Sequence, residues 1–446
     1  MNIRFLHNKK GVLYVGLFLL TLSLPINLLA DADDLHLQIS FDNGLVDVAQ
    51  PTERHLEILV TAPETRAASK RLPLNIALVI DSSGSMNGSK IAYVKQAAEH
   101  MVNRLRQGDR FSLITYSDRA RVLIASERIE NLSTAHALIE NIRSGGGTNM
   151  GEGLLAGYQE VQKYTSSKTI NRIMLLSDGH ANQGLTSPVR LGHLVQEEAD
   201  NGIALSTFGV GSGFNEDLMA SLSENGRGMY YFIDNPEQIS SILAQEFRLT
   251  EQVVATGIRI ELELHAGITL NKVYANKYDR QNNKLIIHGG DLSVGERRRY
   301  QIRLQPPALS PGSYRVGKVH LAYTPVGRSQ AVLAEQQLNL AYQENSTGID
   351  THKDQGVAER SSVFLARYAR DDAAQAVDKG DMQQAQQILA QAQQHLQGKT
   401  AQSSKLRQEQ QALDKYAAAL KTNMDQNKKA RLQKATKYHK HALEGC

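Results

Sequence analysis

The chain has 446 residues, with 50 Lys and Arg against 46 Asp and Glu, so its formal net charge is only +4. That length exceeds one ordinary core and implies roughly two to four folded units, and so balanced a charge gives no compositional case for nucleic-acid binding. The single cysteine, Cys446, excludes an internal disulfide, so stability must come from buried apolar cores even in an oxidising compartment.

At the N-terminus, Arg4, Lys9 and Lys10 precede a charge-free run over 11–24, and Ala30, Asp31 and Ala32 follow as a small-residue cleavage signal. Residues 1–32 read as a secretory signal peptide. An uncleaved N-terminal anchor is the alternative, because 11–30 is just long enough to span a bilayer, although Pro25 interrupts it. The flanks match the cleaved pattern better, and no cysteine near the cleavage point offers a lipid attachment. Either form places the rest of the chain outside the cytoplasm, in the periplasm or cell envelope.

Residues 33–72 hold two alternating apolar stretches, 35–39 and 56–60, with a turn signal at Asp42, Asn43 and Gly44 between them. Two strands do not fold alone, so they need a sheet from elsewhere. Residues 73–249 alternate strand and helix patterns. The apolar runs 74–80 and 173–176 read as buried parallel strands. Ile91, Val94, Ala98, Met101, Val102 and Leu105 recur at helical spacing after the first run. Further helices are predicted over 188–200 and 236–249, each opening on proline.

Residues 250–345 change character. Alternating strands at 258–264, 284–287, 299–304 and 319–323 are separated by Gly, Pro and Asn clusters, which predicts a β-sandwich completed by the strands of 33–72. Residues 346–446 are rich in Ala, Gln and Lys and show no strand signal. Helices are predicted over 360–378 and 382–396, split by Lys379, Gly380 and Asp381, with a third over 401–422. This pattern fits a docking module or a solvated helical tail equally well. The basic end, with Lys428, Lys429, Arg431, Lys434, Lys437 and Lys440, reads as a solvated helix terminus, and His439 with His441 is too small a set for a metal.

Three loops carry chemistry. Asp81-Ser82-Ser83-Gly84-Ser85 directly follows the run 74–80, Gly145-Gly146-Gly147-Thr148-Asn149 lies downstream, and Ser177-Asp178-Gly179 directly follows the run 173–176. In an open parallel sheet such loops converge at the carboxyl ends of the strands, at a topological switch point. Asp81, Ser83, Ser85, Thr148 and Asp178 then form an oxygen-only donor set, which suits a hard divalent cation such as Mg²⁺. Two carboxylates formally neutralise such an ion. If hydroxyls take the direct positions and the aspartates act through water, the ion stays electron-poor and can accept a carboxylate from outside.

This set resembles the metal-ion-dependent adhesion site of the von Willebrand factor type A domain, with D-x-S-x-S at Asp81, Ser83 and Ser85, the distant threonine at Thr148 and the distant aspartate at Asp178. Residues 110–117 are similar to the family's second strand, 203–211 to its fifth strand and following loop, and 178–184 to the bacterial form of its fourth loop. The resemblance covers roughly 73–245. It implies a doubly wound, mostly parallel α/β domain inserted in or followed by the sandwich, with a helical segment at the end. It implies Mg²⁺ or Mn²⁺ held directly by Ser83, Ser85 and Thr148 and through water by Asp81 and Asp178. The implied partner is a protein with an exposed acidic residue, met at a surface rimmed by Gly145, Gly146, Gly147 and the loop after Asp178. A looser similarity extends to bacterial proteins related to calcium-activated chloride channel subunits, without any pore-forming segment.

Enzymatic readings find little support. Gly209-Val210-Gly211-Ser212-Gly213 lacks the full dinucleotide spacing, and neither a G-x-x-x-x-G-K-[ST] loop nor a G-x-S-x-G elbow occurs. Asp81 as a phosphoryl acceptor would need a second acid and a lysine beside it. The chain therefore reads as an exported binding protein, for adhesion or complex assembly, rather than an enzyme. The alternative is a structural envelope assembly factor, in which the metal only stabilises the fold and the helical tail binds partners.

Overall fold

The computed structural model describes residues 34–65, 71–211, 213–328, 330–344, 352–399 and 403–421. The signal or anchor segment and the basic end with His439 and His441 lie outside these residues. Three strands come first, β1 (His36–Phe41), β2 (Leu45–Asp47) and β3 (Arg54–Thr61). An α/β unit follows: β4 (Leu74–Asp81), α1 (Ser89–Arg104), β5 (Arg110–Tyr116), β6 (Ala120–Glu127), α2 (Leu132–Glu140), α3 (Met150–Gln162), β7 (Ile170–Ser177), α4 (Pro188–Asp200), β8 (Ile203–Val210), α5 (Glu216–Asn225), β9 (Arg227–Ile233) and α6 (Ile239–Glu251). Then come β10 (Val253–Leu264), β11 (Thr269–Tyr274), β12 (Tyr278–Gln281), β13 (Lys284–Ser293), β14 (Arg297–Gln305), β15 (Gly312–Pro325) and β16 (Val332–Gln343). Helices α7 (Gln355–Asp378), α8 (Met382–Leu396) and α9 (Ser404–Lys421) close the described chain. Among the described residues no helix is long and apolar enough to cross a membrane.

The α/β unit is a six-stranded sheet in the order β6-β5-β4-β7-β8-β9, parallel except for the antiparallel edge strand β6. Every residue of β4, β7 and β8 is buried, because helices cover both faces. Ile76, Leu78 and Ile80 of β4 join one apolar cluster with α1 and α6, while Ala77 and Val79 join a second with α3 and α5. The period of two along the strand thus separates the two layers. Helix α3 lies unusually close to the sheet. A Cβ at Gly153 would stand 2.5 Å from the Tyr116 ring, and one at Gly157 would stand 2.7 Å from Val79. These glycines set the height of α3, and hence of the loop before it, above the sheet.

The strands on either side of this unit share two sheets, ordered β1-β3-β14-β11 and β12-β13-β10-β15-β16-β2. β3 pairs with β14, and β2 pairs in parallel with the end of β16. Leu56, Ile58 and Val60 of β3 meet Ile260 and Leu262 of β10 and Val319 and Leu321 of β15 in one apolar cluster. The turn at Asp42 does not close a simple hairpin between β1 and β3. It sends the chain across to the second sheet as β2 before it returns, and the Asp42 carboxylate ties the two ends by accepting from the backbone N–H groups of Asn43 at 3.0 Å and His55 at 2.8 Å. The Arg172–Asp291 ion pair ties the α/β unit to these sheets, and further pairs brace the unit and the chain leading into it. Arg172 on β7 reaches Asp291 on β13 at 3.0 Å and Glu246 on α6 at 3.6 Å, all of them largely withdrawn from solvent. Arg71 grips Asp109 with two bonds of 2.8 Å and Glu251 with one of 3.2 Å.

The last helices pack together rather than trail into solvent. Leu389, Leu396, Leu406, Leu413 and Tyr416 belong to one buried cluster with the alanines of α7. Gly380, with φ +79°, turns the chain between α7 and α8, and the Asp381 carboxylate then caps α8 by accepting from the Gln384 N–H at 2.9 Å. α7 docks on the β1-β3-β14-β11 sheet. Arg360 donates two bonds, 2.7 and 2.9 Å, to the buried Glu57 carboxylate, Gln301 donates a third at 2.7 Å, and the Ser361 hydroxyl bonds Gln301 at 2.7 Å. Tyr368 meets Tyr274 edge-on at 5.1 Å. Arg360→Ala leaves Glu57 short of its cation, so it is expected to cost about 2 kcal/mol in chemical denaturation. Arg360→Lys should lose less, and an unchanged midpoint for Arg360→Ala would show that docking does not depend on this pair.

Candidate metal centre

β4 and β7 are neighbours and parallel, so their carboxyl ends lie side by side, and β5 flanks β4 on the other side. The first strand is followed outward by β5 and inward by β7, which makes this end the topological switch point of the sheet. Asp81 is the last residue of β4, and Asp178 follows the last residue of β7. Both are buried, as are Ser83 and Thr148, whereas Ser85, Gly145 and Gly146 are exposed. The site therefore has buried carboxylates, with Ser83 and Thr148 buried beside them, and an exposed rim of Ser85, Gly145 and Gly146.

Each carboxylate oxygen has a defined partner. Asp81 accepts from the Ser83 backbone N–H at 2.8 Å through Oδ1 and from the Ser177 hydroxyl at 2.7 Å through Oδ2. Asp178 accepts from the Ser85 hydroxyl at 2.7 Å through Oδ1, and its Oδ2 is paired with the Lys90 ammonium. The Ser83 and Ser85 hydroxyl oxygens are 3.1 Å apart. A Cβ at position 179 would stand 3.6 Å from the Thr148 hydroxyl oxygen and 3.8 Å from that of Ser85, so the middle loop does bring its hydroxyl close to the other two. All five sequence-predicted residues are thus gathered at one end of the sheet. The donors are oxygen throughout, which fits a hard divalent cation.

Backbone bonds hold the three loops together. Gly84 donates to the Gly146 carbonyl at 3.1 Å, and Gly145 donates to the Ser82 carbonyl at 2.8 Å. Asn149 caps α3 through the Glu152 N–H and donates its own N–H to the Ser117 carbonyl at 2.7 Å, which fixes Thr148 just before the helix. Several contributors escaped sequence reasoning. Ser177 carries half of the Asp81 carboxylate. Asn182 accepts from the Thr148 N–H at 2.9 Å. Asp118, on the exposed turn after β5, accepts from the Gly147 N–H at 2.8 Å and from Gln183 at 2.9 Å, and these bonds hold its carboxyl below the usual range. Lys90, in the first turn of α1, also donates to the Ser85 carbonyl at 3.1 Å. Asp118 had a readable signal, since it sits just past the end of β5 as Asp81 sits at the end of β4. Lys90 had none, because only the start of α1 aims it at Asp178.

Two enzymatic suggestions can be weighed against this geometry. The site does hold a lysine and a second acid, Lys90 and Asp178, paired with each other, but Asp81 is fully buried with both oxygens bonded and presents no attacking atom to solvent. The glycine at 209 has a packing reason, since a Cβ there would stand 2.2 Å from the Phe214 ring. Two clefts of about 480 and 560 Å³ lie elsewhere, and none of the five residues lines either one.

The doubly wound sheet with an aspartate-serine loop at its switch point defines a von Willebrand factor type A domain. The chain belongs to that family, in its bacterial form, and the family's sequence profile matches residues 75–245. The protein sll0103 of Synechocystis sp. is 31% identical over 369 residues, covering 80% of this chain and 86% of that one. YfbK of Escherichia coli is 32% identical over 240 residues, which are 51% of this chain but only 41% of YfbK, so the chain spans less than half of that relative. A solved von Willebrand factor type A structure from Catenulispora acidiphila superposes with a TM-score of 0.70 over 93% of this chain and 97% of that chain at 17% identity, a likeness of fold. Domains of this family serve protein–protein interaction around a divalent-cation site.

Burial pushes the Asp81 carboxyl above its ordinary value, against the bonds from Ser83 and Ser177 that pull it down, and the charge of Asp178 adds to the rise. A raised carboxyl contributes stability that is full below its ordinary value and is lost as pH rises through the raised native value. With chelator present, Asp81→Asn should therefore denature at a higher temperature than wild type at pH 7, and the difference should shrink as pH falls to 4. The amide can keep the Ser83 bond and reverse the Ser177 one. A variant less stable than wild type at pH 7 would contradict this.

Proposed function

We propose that this protein presents Mg²⁺ or Mn²⁺ to an acidic side chain of a partner protein, outside the cytoplasm in the cell envelope. Ser83, Ser85 and Thr148 contact the ion directly, and Asp81 and Asp178 hold it through water. The observation that carries this reading is that all four carboxylate oxygens already have a donor, from Ser83, Ser177, Ser85 and Lys90, while the three hydroxyl oxygens converge beside them just under the exposed rim at Ser85. Magnesium keeps several waters and binds through few protein ligands, so an exposed coordination position is left for an outside carboxylate. The rim residues Ser85, Gly145 and Gly146 are exposed and the site lies apart from both clefts, whereas small-molecule sites are concave. The export assignment rests on the sequence of residues 1–32.

Affinity capture from an envelope extract, with Mg²⁺ or with chelator, tests the bridge directly. A partner retained by wild type with Mg²⁺, and lost with chelator or with Ser83→Ala, is the expected result. Equal retention in every condition would move the contact to the strands or helices and leave the metal a structural role. Asp81→Ala should lower Mn²⁺ affinity by at least about tenfold in a folded protein, since the removed charge lies within a few ångströms of the ion. Unchanged affinity would remove the ligand assignment.

A further inference from the structure

We propose that Lys90 is a resident cation of the metal site, and that its charge makes an anionic group from the partner the ligand that completes the site. This rests on the metal-bridged reading above and specifies why such a site selects an acidic partner. Lys90 projects from the first turn of α1. Its ammonium pairs with Asp178 Oδ2 and donates to the Ser85 carbonyl at 3.1 Å. The Asp178 side chain is fully withdrawn from solvent and that of Lys90 is only 28% exposed, so this is an ion pair of the floor of the site rather than of the protein surface.

The pairing leaves room for a metal. Lys90 occupies Oδ2 of Asp178, while Oδ1 takes the Ser85 hydroxyl. The Ser83, Ser85 and Thr148 oxygens keep lone pairs for an ion without any need to dislodge the ammonium. Charges then add simply. Asp81 and Asp178 contribute two negative charges, Lys90 one positive, and the divalent ion two positive, so the loaded site carries one positive charge in excess. Without Lys90 the same site would be neutral. Asp118 stands on the rim, but it is exposed and its charge is screened by water far more than that of the buried pair. A monoanion brought by the partner restores neutrality, and metal and carboxylate must therefore bind with positive linkage, each raising the affinity for the other by one factor.

The test is Mn²⁺ binding to the full chain, followed by the electron paramagnetic resonance signal of free Mn²⁺, with acetate as the carboxylate probe and ionic strength held constant with chloride. In wild type, acetate should tighten Mn²⁺ binding several-fold. Lys90→Met should bind Mn²⁺ about tenfold more tightly without acetate, because a like charge near the ion is gone, and acetate should then add little. Lys90→Arg keeps the charge and should behave as wild type. If Lys90 merely props Asp178 in place, Lys90→Met will bind Mn²⁺ no more tightly, or more weakly, and the proposal fails. The acetate response of wild type decides the matter without any variant: no tightening overturns it. Wild type that binds no Mn²⁺ in any condition would instead sink the metal-bridged reading itself.

Discussion

Two carboxylates, Asp81 and Asp178, are buried next to each other at the carboxyl ends of adjacent parallel strands. Removing a charge from water is expensive, and a second like charge nearby adds to the cost. The surroundings read as the answer to that constraint. A backbone N–H, two serine hydroxyls and an ammonium each take one carboxylate oxygen, and the raised Asp81 carboxyl records what remains uncompensated. A divalent ion at the three hydroxyls would supply the missing charge. The same features that make two buried carboxylates costly therefore favour a cation beside them.

The rest of the chain keeps those two strand ends where they are and leaves them open. Parallel pairing demands that both faces of the sheet be covered, and α1 with α6 on one side and α3 with α5 on the other do this. The glycines of α3 let that helix sit low enough for Asn149 to cap it beside Ser117, which places Thr148. The contacts with the flanking sheets involve Arg172, Asp291 and the cleft lined by Ile170, Asn171 and Gly202, at the amino ends of β7 and β8. The attachment is thus at the opposite end of the strands from the site. Helices α7 to α9 are tied to the outer sheet through Glu57 and Gln301, so that their removal would leave a buried carboxylate exposed to loss of its partners.

Much of this was legible in the residues. The apolar runs 74–80 and 173–176 announce buried strands, and an aspartate directly after each is enough to put two carboxylates at one sheet edge. Pro188, Gly380 and Asp381 mark helix ends by local chemistry alone. The short or irregular pieces were not legible: β2 is three residues long, and the exposed strand β12 has no apolar face to reveal it. Lys90 and Asp118 are ordinary surface residues by composition, and their roles come from what lies across the loop.

By itself the sequence determined that Asp81, Ser83, Ser85, Thr148 and Asp178 would meet at one end of a parallel sheet, because strand period and loop residues are local properties. Only the tertiary structure decided which strands pair across the inserted unit, where the last helices dock, and that Lys90 shares the floor of the site. Those depend on contacts between segments up to roughly three hundred residues apart, as between Glu57 and Arg360. No periodicity encodes such a meeting; it follows from how buried faces and buried charges are satisfied together.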